Sequence, residues 1–258
     1  MGPGHPDQIT VQAVQALNRV DVFFFVDKGD AKSGLNAARD EILHRHVTRP
    51  GYRVVEIPEP PRDRSPIDYQ GAVSDWHEAR AELVGAAIAA ELGEDGGVGA
   101  FLVWGDPSVY DSTLRIIDRI LARGTVAFTY TVIPGVTSVQ ALAAAHRVPL
   151  NRIGEPIHIT PARRIADGLP EGLDSAVVML DSGFTAARLE DPALTVFWGA
   201  YLSTPDETLI HGPLKVVAAE ITATRAALRA RHGWIMDTYL LRRDGEFGPG
   251  SARTGSGA

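Results

Sequence analysis

Short apolar runs alternate with longer helix-like segments over the first half of the chain, and this order constrains the fold more than any other feature. Apolar residues recur at helical spacing in residues 9–20, and the continuous apolar run that follows is typical of a buried strand. Strands that alternate with helices favour a parallel sheet covered on both faces. The pattern predicts helices at 9–20, 36–46, 76–92 and 112–121 and strands at 22–26, 52–57, 100–104 and 126–133.

The second half of the chain changes this order, because several predicted strands follow one another through short connections, which favour antiparallel pairing. We therefore predict two α/β domains, at residues 1–133 and 134–243. A polar, Gly-rich tail at 244–258 is typical of disorder. The elements predicted here are helices at 137–145 and 217–229 and strands at 157–160, 176–180, 194–198, 207–211 and 234–241.

Composition excludes several classes of function. The formal net charge of -7 over 258 residues disfavours a general nucleic-acid-binding protein, and the absence of cysteine excludes disulfides and thiolate-bound metals. No group of His and carboxylate residues has metal-ligand spacing, so we predict no metal. Neither a membrane span nor a signal peptide is apparent, so we predict a cytoplasmic protein without a membrane partner.

Three Gly/Pro clusters stand at positions where chain turns and ligands meet. They are Gly2 to Asp7 before the first helix, Gly105-Asp106-Pro107 after a predicted strand, and residues 134–138 between a strand and a helix. Carboxyl ends of parallel strands face the ligand crevice, and Gly allows close approach to the backbone. Each cluster alone has an ordinary alternative, namely a plain turn, a cap formed by Asp106 or a helix N-cap.

Taken together, the order and spacing of the three clusters resemble the tetrapyrrole methylase family, and the resemblance extends from residue 2 to about residue 243. It implies two α/β domains of the tetrapyrrole methylase fold, with a mostly parallel N-terminal sheet and a mixed C-terminal sheet. It also implies S-adenosyl-L-methionine in the interdomain cleft, S-adenosyl-L-homocysteine as product, an anionic tetrapyrrole as substrate and a homodimer.

Five further stretches are similar to family members of cobalamin biosynthesis that methylate C-1 of the ring precursor and release its acetyl group as acetate. These stretches are residues 8–24, 25–29, 75–80, 197–201 and 232–237. Family members also have a strand ahead of the first Gly-rich loop, which we expect to be missing from the sequence as it stands. The resemblance assigns cofactor contacts to Pro3, Gly105, Asp106, Val109, Thr137, Ser138, Leu180 and Leu202, the last two through backbone atoms.

Candidates for a catalytic base or a water-positioning group are Asp27, at the end of a predicted strand, and Tyr110, after the Gly-Asp-Pro turn. Each has a structural alternative: a polar turn for Asp27 and packing under the loop for Tyr110. Asp106 and His77 are further candidates for the same role, and a packed or surface histidine is favoured at position 77. Substrate carboxylates predict nearby basic side chains, with Lys28, Arg62, Arg64, Arg163 and Arg164 as candidates.

Two other classes of function compete with this interpretation. The same fold and cofactor could serve a different ring carbon, an RNA ribose or a protein side chain, because fold alone does not decide function. The acidic charge disfavours RNA. A nucleotide-binding protein or an NAD-linked enzyme is the second alternative, and the absence of the third Gly of the dinucleotide fingerprint counts against it.

Overall fold

The computed structural model describes residues 1–27, 33–61, 68–93 and 96–243. The chain divides into two compact units, Met1–Thr137 and Ser138–Ala258, whereas the sequence analysis divided it after residue 133. The predicted tail at 244–258 lies outside the described residues. None of the described helices combines the length and apolar character that a membrane span requires.

Unit 1 alternates helices and strands, and side-chain caps mark where two of its helices begin. Thr10 accepts a hydrogen bond from the backbone of Ala13, and Asp68 accepts one from Gly71, each satisfying an otherwise unpaired first-turn amide. The elements are α1 (Val11–Leu17), β1 (Val22–Asp27), α2 (Ser33–His46), β2 (Arg53–Pro58), α3 (Tyr69–Leu92), β3 (Gly99–Ala100) and α4 (Thr113–Arg123).

The sheet of unit 1 is parallel, in the order β2-β1-β3. Successive side chains of a strand point to opposite faces. Val22 and Phe24 of β1 pack with core residues of α3 and α4, and Phe23 and Phe25 pack with those of α1 and α2. Both faces of β1 are therefore covered, which explains its continuous apolar run and confirms the predicted parallel sheet with helices on both sides.

Two predicted strands of unit 1 are wrong. Only Gly99–Ala100 pairs with β1, so the strand predicted at 100–104 ends almost where it begins, and residues 126–133 form no strand. Apolar patterning makes a strand only where a neighbour supplies backbone donors and acceptors. Within the described ranges no strand pairs with residues 101–104 or 126–133, and Tyr130 and Val132 are 48% and 42% exposed.

Unit 2 contains a five-stranded mixed sheet in the order β4-β5-β8-β6-β7. β4 and β5 are parallel, whereas the β5–β8, β8–β6 and β6–β7 pairs are antiparallel, as the short connections predicted. Leu142 of α5 packs on one face of the sheet, and Ile221 of α6 packs on the other with Trp198 and Tyr239. The elements are α5 (Ser138–His146), β4 (His158–Pro161), β5 (Ser175–Met179), β6 (Leu194–Ala200), β7 (Thr208–Pro213), α6 (Leu214–His232) and β8 (Asp237–Arg243).

A buried ion pair joins α6 to the sheet of unit 2. The Arg225 Nε donates to Asp237 Oδ2 at 2.6 Å, and an Arg225 terminal nitrogen donates to the backbone oxygen of Asp181 at 2.6 Å. Trp198 Nε1 donates to the same Asp237 oxygen at 2.7 Å. Burial alone would lower the pKa of Arg225, but the hydrogen bond and charge of Asp237 raise it above its usual value. The pair therefore stays charged and fixes the turn that follows β5.

We predict that Arg225→Met lowers the free energy of unfolding by roughly 3–5 kcal/mol, because it leaves the buried Asp237 carboxylate without its cation. Urea denaturation measures the loss. Lys215→Met is the control, since its ion pair with Glu190 is exposed on the surface and its removal should change little. Equal effects of the two substitutions would contradict a stabilising role for the buried pair.

Candidate active site

The three Gly-rich clusters, far apart in the sequence, meet in unit 1. The Gly2 amide donates to Gly105 O at 3.3 Å, and the Gly105 amide donates to Gly2 O at 2.9 Å. Gly135 lies against the same loop, because a Cβ added to it would stand 2.4 Å from Gly105 O. These positions are about a hundred and about thirty residues apart, so tertiary structure alone brings them together.

Glycine is required at two of these positions for different reasons. Gly105 adopts a φ of 68°, a left-handed conformation in which a side chain is strained. Gly135 has no space for a Cβ beside the Gly105 carbonyl. Any larger residue would push the loops apart, so glycine is needed at these positions for the loops to pack closely.

Asp106 holds the second and third loops together. Its Oδ2 accepts the Gly135 amide at 2.7 Å, and its Oδ1 accepts both the amide and the hydroxyl of Ser108. Burial alone would raise the pKa of Asp106, but these hydrogen bonds lower it, with a contribution from the Met1 ammonium, so the net pKa lies below its usual value. The carboxylate is therefore ionised and acts here as a cap that joins two loops, with lone pairs left for a further donor.

The turn after Asp106 presents the next two predicted residues. The Val109 amide donates to Asp106 O at 3.3 Å, which closes the turn, and Val109 is half-buried. Tyr110 has a φ of 52°, unusual for a residue with a side chain, and its side chain is 44% exposed. Such strained positions concentrate at functional sites. Pro3 of the first loop is buried.

Thr137 and Ser138 lie where the chain passes from unit 1 to unit 2. Thr137 is buried and close to Gly105, since a Cβ on that glycine would stand 3.7 Å from the Thr137 Cα. Ser138 is the first residue of α5. The structure thus places Thr137 with the Gly105 loop, and Ser138 begins the helix that the sequence predicted.

In unit 2, Leu180 and Leu202 follow β5 and β6. These strands run in the same direction because both are antiparallel to β8, so the two leucines lie at one edge of the sheet. Leu180 has a φ of 55° and is 63% exposed, although it follows a buried strand. Leu202 is buried, and its Cδ2 would lie 2.6 Å from a Cβ on Gly199, so its side chain packs inside unit 2.

The turn after Leu180 is held by a residue that the sequence analysis did not identify. The buried Asp181 carboxylate accepts the Tyr239 hydroxyl at 2.7 Å and the amides of Gly183 and Thr185 at 3.0 and 2.6 Å. Burial alone would raise the pKa of Asp181, but these donors bring it below its usual value. An Asp followed by Ser-Gly after a strand is a turn signal, and it could have indicated this cap.

The structure describes only some of the predicted catalytic and basic residues. Asp27 is the last residue of β1 and pairs with Pro58, and its side chain lies outside the described part of the chain, as do Lys28, Arg62 and Arg64. His77 is buried with its ring centroid 5.2 Å from that of Trp76, which agrees with the packed histidine that the sequence favoured. The two predicted basic residues of unit 2, Arg163 and Arg164, are exposed in a 3₁₀ turn after β4.

The described residues contain no cluster of metal-ligating side chains. Across residues 1–27, 33–61, 68–93 and 96–243, no group of three or more His, Asp or Glu side chains is placed to hold a metal ion. Unit 1 offers instead a half-exposed phenol at Tyr110 beside the closely packed glycine loops, and unit 2, taken by itself, offers an exposed leucine after β5. Polar and apolar groups of this kind bind organic ligands.

Comparison with known proteins agrees with this geometry. The family model described as tetrapyrrole (corrin/porphyrin) methylases matches residues 1–218. The precorrin-6A synthase (deacetylating) of Sinorhizobium sp is 50% identical over 247 residues, which cover 96% of this chain and 94% of that protein. The precorrin-2 C(20)-methyltransferase of Sinorhizobium sp is 30% identical over 69% of each chain.

Solved structures show the same fold. The crystal structure of a cobalamin synthesis related protein from Corynebacterium diphtheriae has a TM-score of 0.81 and 37% identity, covering 94% of this chain and 95% of that one. A cobalt precorrin-4 methyltransferase has a TM-score of 0.61 at 18% identity, covering 93% and 91%. Because the family model matches most of its length and a relative is half identical throughout, the chain belongs to the tetrapyrrole (corrin/porphyrin) methylase family.

Proposed function

We propose that this protein is an S-adenosylmethionine-dependent C-methyltransferase of cobalamin biosynthesis, which methylates C-1 of precorrin-5 and releases acetate to give precorrin-6A. The observation that carries the proposal is the 50% identity to a precorrin-6A synthase (deacetylating) over 96% of this chain. The match covers 247 of the 258 residues, so it extends over both compact units.

The loops of unit 1 carry chemical groups that suit an adenosyl ligand. Gly105 has no side chain and a left-handed backbone, so a ligand can approach the loop closely, while the Gly105 amide and carbonyl are hydrogen-bonded to Gly2. When bound, S-adenosylmethionine supplies an electrophilic methyl group on its sulfonium. Asp106 orders the loop and keeps lone pairs for a hydroxyl or amine donor. In the proposal the cofactor is held by Pro3, Gly105, Asp106, Val109, Thr137, Ser138, Leu180 and Leu202.

Methyl transfer to a ring carbon asks the protein mainly to align the reactants and exclude water. Removing a proton from the ring increases the nucleophilicity of the carbon, and we assign that task to Asp27, at the carboxyl end of β1. Acetate release requires a water to attack the acetyl carbonyl. Tyr110, half-exposed beside the Gly105 loop, is assigned to orient the substrate or that water.

One observation supports a second candidate within the family. The 30% identical relative is a precorrin-2 C(20)-methyltransferase, so methylation of another ring carbon without acetate release is the alternative. The resemblance further implies a homodimer in the cytoplasm. Sedimentation velocity of the purified chain tests the first of these statements, and a monomer at micromolar concentration would contradict it.

The proposed reaction couples each methyl transfer to the release of one acetate. Incubation with S-adenosylmethionine and precorrin-5 should yield a methylated ring and acetate in a one-to-one ratio, measured by mass spectrometry and by enzymatic acetate assay. Methylation without acetate would favour the alternative substrate. No methylation, although S-adenosylhomocysteine binds, would overturn the substrate assignment and leave the family unchanged.

We predict that Asp106→Ala weakens S-adenosylhomocysteine binding by roughly tenfold to a hundredfold, because the Gly105 and Gly135 loops lose the hydrogen bonds that join them. Isothermal titration calorimetry measures the Kd. Asp118→Ala, an exposed acid of α4, is the matched control and should leave the Kd unchanged. An unchanged Kd in a folded Asp106→Ala protein would remove Asp106 from the cofactor site.

Tyr110→Phe separates chemistry from cofactor binding. Removing only the hydroxyl should lower kcat for methylation or acetate release by about tenfold to a thousandfold, with the Kd for S-adenosylhomocysteine unaltered. Tyr130→Phe is the control, because that tyrosine is similarly exposed but lies outside the proposed site. If both variants retain full kcat, the Tyr110 hydroxyl has no catalytic role.

A further inference from the structure

Unit 1 contains a small cavity whose lining includes none of the predicted cofactor contacts. Its volume is about 70 Å³. It lies at the carboxyl end of β1, beside the residues that follow β3 and the start of α4. Three charged side chains, Arg39, Arg80 and Asp111, line it together with Phe24, Val26, residues 101–104, Ser112 and Thr113.

Arg80 is the most buried of the charged groups at this cavity. It ends the 75–80 stretch that the sequence analysis singled out, and its side chain is only 9% exposed. A terminal nitrogen donates to Ser112 Oγ at 3.1 Å, and the guanidinium carbon lies 4.7 Å from the Trp76 ring centroid. Its Nε is buried without a hydrogen-bond acceptor among the described residues, and the Glu59 oxygen paired with it is 3.8 Å away. A buried cation with an unused donor is costly unless an acceptor arrives.

A second cation stands beside it. Arg39 of α2 lies over the Phe25 ring, with 5.2 Å from the guanidinium carbon to the ring centroid. Arg39 is partly buried and lines the same cavity as Arg80. Burial lowers the pKa of Arg39, Asp111 and Asp40 raise it, and the charge of Arg80 lowers it further. Two cations at one cavity favour an anion between or beside them.

Three carboxylates, Asp40, Asp111 and Glu59, lie near the two arginines, so the unused Arg80 Nε donor, and not an excess of positive charge, favours an anion here. Asp111 Oδ1 accepts the Thr113 amide at 2.6 Å and so caps the first turn of α4. The lining therefore contains two cations, one anion engaged in a cap, the Ser112 hydroxyl and the amino end of an eleven-residue helix. Guanidinium forks and helix amino ends both favour a planar oxyanion.

We infer that Arg39, Arg80 and Ser112 form a carboxylate-binding subsite in unit 1. A volume of about 70 Å³ admits a group of a few heavy atoms and excludes a macrocycle. The inference rests on the proposed function, in which the substrate carries carboxylates on its rim and its acetyl group leaves as acetate. Both sources present the same chemistry to the two arginines, and the experiment distinguishes them.

Acetate alone is the first probe, and it requires no turnover. Trp104 lines the cavity and Trp76 lies under Arg80, so tryptophan fluorescence reports occupancy. Against chloride at constant ionic strength, acetate should give a saturable change in the wild-type protein. Arg80→Gln should weaken acetate binding by about tenfold or more, because a charge-assisted pair is lost. Arg123→Gln, which removes an arginine of the same α3–α4 interface outside the cavity, should leave it unchanged.

A second variant, Ser112→Ala, and a measurement of S-adenosylhomocysteine binding separate a local loss of acetate binding from a loss of folding. Ser112→Ala removes a partner of Arg80 without removing charge and should weaken acetate binding by a smaller factor. Retained S-adenosylhomocysteine affinity in each variant shows that the fold and the cofactor site are intact. Loss of that affinity together with acetate binding, in every variant, would contradict a local subsite.

Steady-state kinetics with precorrin-5 then assigns the source of the carboxylate. A fall in the ratio of acetate released to methyl groups transferred in Arg80→Gln assigns the subsite to the leaving acetyl group. A raised KM for precorrin-5 in Arg80→Gln, with the one-to-one ratio retained, assigns it to a carboxylate of the ring's rim. The inference is overturned if the wild-type protein shows no saturable response to acetate and Arg80→Gln leaves the KM unchanged. Saturable acetate binding without turnover would support the subsite while sinking the proposed function.

Discussion

The hydrogen bond from the Gly135 amide to the Asp106 carboxylate, 2.7 Å long, is the interaction on which the candidate site depends. It joins two loops that are about thirty residues apart, and the paired amides of Gly2 and Gly105 add the third. The carboxylate is buried, so the low local dielectric strengthens each hydrogen bond that it accepts. Because Gly105 and Gly135 contribute no side chains, the joined loops pack against each other with their backbones in close contact.

The alternation of apolar runs and helices was sufficient to predict the parallel arrangement of unit 1, since only a strand covered on both faces explains the run from Val22 to Val26. It was insufficient for residues 100–104 and 126–133. Periodicity describes which side chains are apolar, but strand formation also needs a neighbour with matching backbone groups, and the described chain pairs only Gly99–Ala100 there. The mixed sheet of unit 2 was predicted better, because short connections between strands limit how they can pair.

The site was predictable to the extent that glycine reports backbone geometry. Gly105 and Gly135 have physical reasons to be glycine, and their clusters could be found by inspection. The residues that hold the loops and turns through long-range contacts could not be found in this way. Asp181 meets Tyr239 across 58 positions, and Arg80 meets Ser112 across 32, so neither partnership leaves a local signature. The sequence pattern predicted basic residues in the exposed turn after β4, and it did not predict Arg39 and Arg80 at the cavity of unit 1.

We propose that the joined glycine loops of unit 1 bind the adenosyl cofactor. A crystal structure of the protein grown with S-adenosylhomocysteine tests this most directly. We expect ligand density in contact with Gly105, Asp106 and Thr137, with the Asp106–Gly135 hydrogen bond retained. Density for the ligand at a different place, with these loops free of it, would contradict the claim and require another explanation for their glycines.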